Sequence, residues 1–150
     1  MRDSVTVRMA ASPAQVWDLV SDITRIGEFS PETFEAEWLG DAVGPAVGAT
    51  FRGHVRRNEI GPVYWTTCRV VVCEPEREFA FVVLGPGGKG LNRWSYRIEP
   101  GEAGTEVTES FELAGSLRAY WMVLGWARGR RNRQDMARTL ERMKAVAEQS

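Results

Sequence analysis

The chain is poor in the residues from which metal and nucleophile sites are built. It carries one histidine, His54, and two cysteines, Cys68 and Cys73, in 150 residues. A zinc site needs three or four protein ligands, and this supply is too small for one. The two cysteines lie five apart in one predicted strand, which directs them to opposite faces and precludes a bond between them. Net charge is also lacking. Nineteen basic side chains face 20 acidic ones, so there is no basic excess for nucleic acid and no acidic solvating tail. The longest apolar run, Ala119 to Ala127, falls short of the ~20 residues that span a bilayer. Arg2, Asp3, Ser4 and Arg8 interrupt the N-terminus where a signal segment would be apolar. Neither a Walker string nor a dinucleotide glycine fingerprint occurs, and the glycine-rich stretch Gly85 to Gly90 sits between two predicted strands and opens no helix. These absences predict a reduced, cytoplasmic protein with no metal, no cofactor and no nucleic-acid partner.

What is present is ordinary globular bulk with a large aromatic share. Apolar residues make up 43% of the chain and charged ones 26%, as in one soluble domain. A domain of this length buries roughly 70% of its unfolded surface and needs no staples. Six Trp, six Phe and three Tyr supply either a packed core or the walls of a ligand cavity.

Patterning divides the chain into strands and helices. Ser4 to Ala11 alternates, with Val5, Val7 and Met9 on one face, as a half-buried strand does. Ser12-Pro13-Ala14-Gln15 carries a helix N-cap, a first-turn proline and a capping box. Val16, Trp17, Leu19 and Val20 form the apolar stripe of that helix, and Asp22 caps a second short turn ending by Ser30-Pro31. Six strands follow: Phe34–Leu39, Thr50–Arg57, Tyr64–Cys73, Phe79–Leu84, Leu91–Glu99 and Thr105–Leu113. In the first of them Phe34, Ala36 and Trp38 share a face. The stretch from Arg130 to Gln149 has no Gly or Pro, and Met136, Leu140, Met143 and Ala147 mark an amphipathic helix face. Tyr120 to Trp126 reads as a separate helical turn or lid, joined to the long helix through a kink. The expected fold class is α+β: residues 1–150 as one domain, a seven-stranded curved antiparallel sheet with two short helices and a long C-terminal helix. That helix alone is long enough to cover the apolar face of the sheet. Where the two layers do not meet, a cavity remains.

This order and several local strings resemble the START/birch-pollen-allergen-like superfamily, and within it the polyketide cyclase/dehydrase (SRPBCC) group. The strings are Ser12-Pro13-Ala14-Gln15-Val16-Trp17-Asp18-Leu19-Val20-Ser21-Asp22, Phe51-Arg52-Gly53, Trp94-Ser95-Tyr96, Gly104-Thr105-Glu106-Val107-Thr108-Glu109-Ser110 and Thr139-Leu140-Glu141-Arg142-Met143-Lys144. The resemblance covers nearly the whole chain. It implies a helix-grip fold with an internal cavity for hydrophobic small molecules. Some relatives catalyse cyclisation or aromatisation and others carry lipids, and the group shares no catalytic signature, so the resemblance leaves enzyme and carrier both open.

Alternation places Phe51, Gly53 and Val55 inward and Arg52, His54 and Arg56 outward. Phe81, Trp94 and Tyr96 also face the helix. The strand from Tyr64 is apolar on both sides, which leaves its inward set open and allows a dimer contact. Glu109 shares the inward parity of Thr105, Val107, Phe111 and Leu113. A carboxylate there loses hydration, its pKa rises, and it suits proton transfer near neutral pH unless an arginine or solvent satisfies it. The candidate ligand-binding set is therefore Phe51, Phe81, Trp94, Tyr96, Glu109, Met136 and Leu140, with Trp126 near the mouth, and Glu109 is the candidate catalytic residue. The expected partner is a hydrophobic small molecule, lipid-like or aromatic polyketide-like. The alternative is an aromatase/cyclase or dehydratase that uses the pocket carboxylate. A third reading is a partner- or membrane-contacting surface at the acid-free segment Arg118 to Arg133. Both monomer and homodimer are compatible with the sequence.

Overall fold

A computed structural model describes residues 2–56, 63–113 and 118–149, with side chains described for all of these except 2, 86 and 118–132. The alternating segments form one antiparallel sheet of seven strands: β1 (Arg2–Met9), β2 (Thr33–Trp38), β3 (Thr50–Arg56), β4 (Val63–Glu74), β5 (Glu78–Leu84), β6 (Gly90–Gly101) and β7 (Gly104–Leu113). Their spatial order is β1-β7-β6-β5-β4-β3-β2. The first strand thus crosses to pair with the last, and the other neighbours follow one another in sequence.

Helix α1 (Pro13–Ser21) begins as its sequence predicts. The Ser12 hydroxyl accepts from the Gln15 amide, and the Gln15 side chain accepts from the Ser12 amide at 2.8 Å. A 3-10 turn, Ile23–Glu28, follows, started by Asp22, whose carboxylate accepts from the Thr24 amide. Helix α2 (Arg118–Glu148) is one element of 31 residues. The separate turn expected at Tyr120–Trp126 is part of it. Gly125 and Gly129 weaken a helix by only ~1 kcal/mol each and keep their backbone donors, so they do not end it as proline would.

Two expectations fail at β-bulges, which insert an unpaired residue and reverse the parity beyond it. In the β4/β5 pairing Val70 opposes Phe81 and Val72 opposes Ala80, which leaves Val71 bulged. Cys68 then opposes Val83 and Cys73 opposes Phe79, so the cysteines face the same side, not opposite sides. Both are free, because five residues of strand separate them by ~16 Å. In the β2/β3 pairing Thr33 opposes Val55 and Glu35 opposes His54. Phe34 is the extra residue, and it leaves the face of Ala36 and Trp38 to lie against the His54 ring at 4.4 Å.

The inner face of the sheet packs against α1, the 3-10 turn and the C-terminal half of α2. Phe79, Ile98 and Val107 meet Val16, Leu19, Val20 and Ile23, with Leu140, Met143 and Ala147 closing the layer. A smaller cluster joins Phe111 and Leu113 to Met136, with Trp94 packed on it. Gly104 lets β7 come close to the end of β1. A Cβ there would sit 2.0 Å from the Met9 carbonyl oxygen, and the residue holds φ +149°. Its neighbour Thr105 is fully buried and donates to the Ala11 carbonyl at 2.7 Å. No helix among the described residues is long and apolar enough to cross a membrane.

Candidate functional site

Helix α1 is nine residues long and covers only one end of the sheet. Past it, a cavity of about 150 Å³ remains between the inner face and α2. Its wall follows the cross-strand register. One row across the sheet runs Asn92, Val83, Cys68, Phe51, and the next runs Phe111, Trp94, Phe81, Val70. The third pairs Glu109 with Tyr96. Phe51 meets Phe81 edge-on at 5.2 Å, and Trp94 lies 4.7 Å from Phe111. Helix α2 contributes Asp135, Met136 and Thr139 to the lining, and Gly53, Val55, Tyr64 and Thr66 line it from β3 and β4. The inward set of β4, left open by its sequence, is thus Tyr64, Thr66, Cys68 and Val70.

Phe51, Phe81, Trp94, Tyr96, Glu109 and Met136 come together around this space. Leu140 does not. One turn beyond Met136, it is fully buried among the α1 side chains, which fill that end of the layer. Trp126 lies outside the described side chains, as does the basic segment up to residue 132. Arg133 pairs with Asp3 at 3.3 Å. Asn92 and Asp135 were not anticipated. Asn92 shares the parity of Trp94 and Tyr96, and Asp135 lies one helical turn before Thr139; each spacing is a usable signal.

Glu109 is 2% exposed. The Tyr96 hydroxyl donates to its Oε1 at 3.1 Å, while Oε2 has no partner. The amide oxygen Oδ1 of Asn92 is likewise buried and unpaired. Burial pushes the Glu109 carboxyl from its ordinary 4.5 up to about 8; the Tyr96 hydrogen bond opposes this and the nearby Asp135 charge adds to it. The Tyr96 phenol is itself held well above 10 by burial and by Glu109. Near neutral pH Glu109 therefore holds its proton in the empty site and can release it to a base or beside a cation. Burial pushes the Cys68 thiol up to about 12, which makes it a wall and not a nucleophile. His54 takes no part. It lies on the outer face, stacked on Trp65 at 4.1 Å and bonded to Glu35 at 2.7 Å.

The family model for polyketide cyclase/dehydrase and lipid transport matches residues 2–148. The chain belongs to that family. A polyketide-cyclase-like protein from Corynebacterium glutamicum is 33% identical over 98% of this chain and 85% of its own, with a TM-score of 0.54. Two further solved structures share the fold at lower identity. A protein from Nitrosomonas europaea has a TM-score of 0.75 at 11% identity, over 99% of this chain and 95% of its own. The di-domain ARO/CYC StfQ from the steffimycin biosynthetic pathway has a TM-score of 0.72 at 15% identity, over 99% of this chain and 50% of its own. A search of curated proteins gave no match. In this member of the polyketide cyclase/dehydrase family the gap between sheet and helix is lined by Glu109, Tyr96 and Asn92.

Proposed function

We propose that the protein binds a hydrophobic small molecule, aromatic polyketide-like or lipid-like, in the cavity between the sheet and α2. The supporting observation is a space lined by Phe51, Phe81 and Trp94 together with Glu109 and Asn92, whose Oε2 and Oδ1 atoms are buried without partners. Native proteins pair almost all such atoms, and ligand sites combine apolar walls with a few placed polar groups. A cavity near 150 Å³ admits about one aromatic ring, which favours an aromatic occupant over a sterol. Thermal-shift and native mass spectrometry screens with phenols, aromatic polyketides, fatty acids and sterols test this. Ring compounds should raise the melting temperature, and a panel without a single stabiliser would refute the proposal.

A second reading makes Glu109 a proton carrier in a cyclase or dehydratase. What favours it is a carboxyl held at about 8 beside the ligand space, within the range a general acid-base needs at neutral pH. Glu109→Gln should then abolish turnover and leave ligand affinity within a few-fold. Parallel loss of both would assign Glu109 to binding alone.

A further inference from the structure

The charged residues that line the cavity are all acids: Glu32, Glu109 and Asp135, with no Lys, Arg or His among the described lining residues. Its unpaired polar atoms are Glu109 Oε2 and Asn92 Oδ1, and Glu109 accepts through both oxygens only when ionised. An ionised Glu109 offers acceptors and no donor, and an ammonium supplies three donors together with the opposite charge. The lining suits the same guest, because it includes Phe51, Phe81 and Trp94 and aromatic rings attract a cation. We propose that the occupant is a cation: a primary amine on a ring-sized apolar body, its ammonium bonded to Glu109. The inference rests on the small-molecule reading above and narrows it to one charge type.

Binding is then coupled to a proton. Glu109 is protonated in the empty site and must ionise beside an ammonium, since an opposite charge favours the charged form. The groups that face it are Tyr96 from β6 and Asp135 from α2, with Tyr64 and Glu32 lining the same space from β4 and from the turn before β2. Arg142 donates to the Ser30 backbone carbonyl at 3.5 Å.

Isothermal titration of the full chain at pH 7 with benzylamine, benzyl alcohol and benzoate is the test. Benzylamine should bind at least tenfold tighter than benzyl alcohol, with benzoate weakest, and titration in buffers of differing ionisation enthalpy should register proton release with the amine alone. Glu109→Gln should bring benzylamine down to the affinity of the alcohol and abolish the proton release. If that variant does not fold, the wild-type ranking and proton release decide alone. Benzyl alcohol binding as well as or better than the amine, or a preference for benzoate, overturns the cationic ligand and leaves the cavity reading intact. No binding of any of the three overturns both.

Discussion

Replacing Glu109 by glutamine should change how stability depends on pH, and the sign follows from the burial of the group. In the folded protein the carboxyl titrates at about 8, against 4.5 when solvated. Between these values the folded state holds a proton that the unfolded state has lost. The folded state binds more protons, so stability falls as pH rises through this window. At about 1.4 kcal/mol for each pH unit, the interval corresponds to on the order of 5 kcal/mol. Glutamine keeps the shape and accepts the Tyr96 hydrogen bond but has no proton to lose. Its amide nitrogen takes the place of Oε2 and changes stability by an offset that does not vary with pH. The informative quantity is therefore the slope of the wild-type-minus-variant difference. Urea denaturation of both proteins from pH 4.5 to 8.5 should show the variant gaining several kcal/mol on the wild type across that range, with every other titrating group cancelling. A difference that stays flat to within ~0.5 kcal/mol would mean that Glu109 is hydrated or paired with a cation, and the site built on it would fall.

Tyr96→Phe leaves Glu109 Oε1 without its donor, so the carboxyl should titrate still higher, as followed by carboxyl NMR, at a stability cost of about 1–3 kcal/mol. Gly104→Ala forces a Cβ to 2.0 Å from the Met9 carbonyl at φ +149°. It should cost more than about 3 kcal/mol in denaturant titration or prevent folding altogether. Leu140→Ala should destabilise by roughly 2–5 kcal/mol while ligand affinity stays within a few-fold, since Leu140 packs beside the cavity and not on it. Thiol labelling of the native protein should modify Cys73 first and reach Cys68, whose thiol is held at about 12, only on the timescale of unfolding.

How far the structure was legible in the sequence depends on whether each feature is decided locally. The Ser12–Gln15 capping box is closed by two bonds between residues three apart, so the four-residue string suffices. The inward parity of Glu109 was legible because β7 pairs with β6 without a break from Gly104 to Leu113. The failures share another cause. Phe34 and Val71 are bulged, and a bulge depends on which partner strand arrives and in what register. Nothing in Phe34-Glu35-Ala36 or Val70-Val71-Val72 announces it, since neither string holds the glycine or proline that often marks a bulge.

The same distinction accounts for the boundary of the cavity. Helical period places Met136, Thr139, Leu140 and Met143 on one face of α2 but says nothing about what each position meets. That depends on α1, whose side chains Val16, Leu19 and Val20 occupy the layer as far as Leu140. Beyond them the sheet still curves away, its bulges at β2 and β4 bending the strands, while no second helix fills the gap. The open volume thus begins where a nine-residue helix ends. Lengthening α1 by one apolar turn would close the space on Tyr96 and Glu109, and the carboxyl would then be buried without an accessible occupant, a cost of several kcal/mol with no return. A carboxyl this deeply buried is tolerable in a stable fold because it keeps its proton and accepts from Tyr96, and the shortness of α1 leaves open the space beside it.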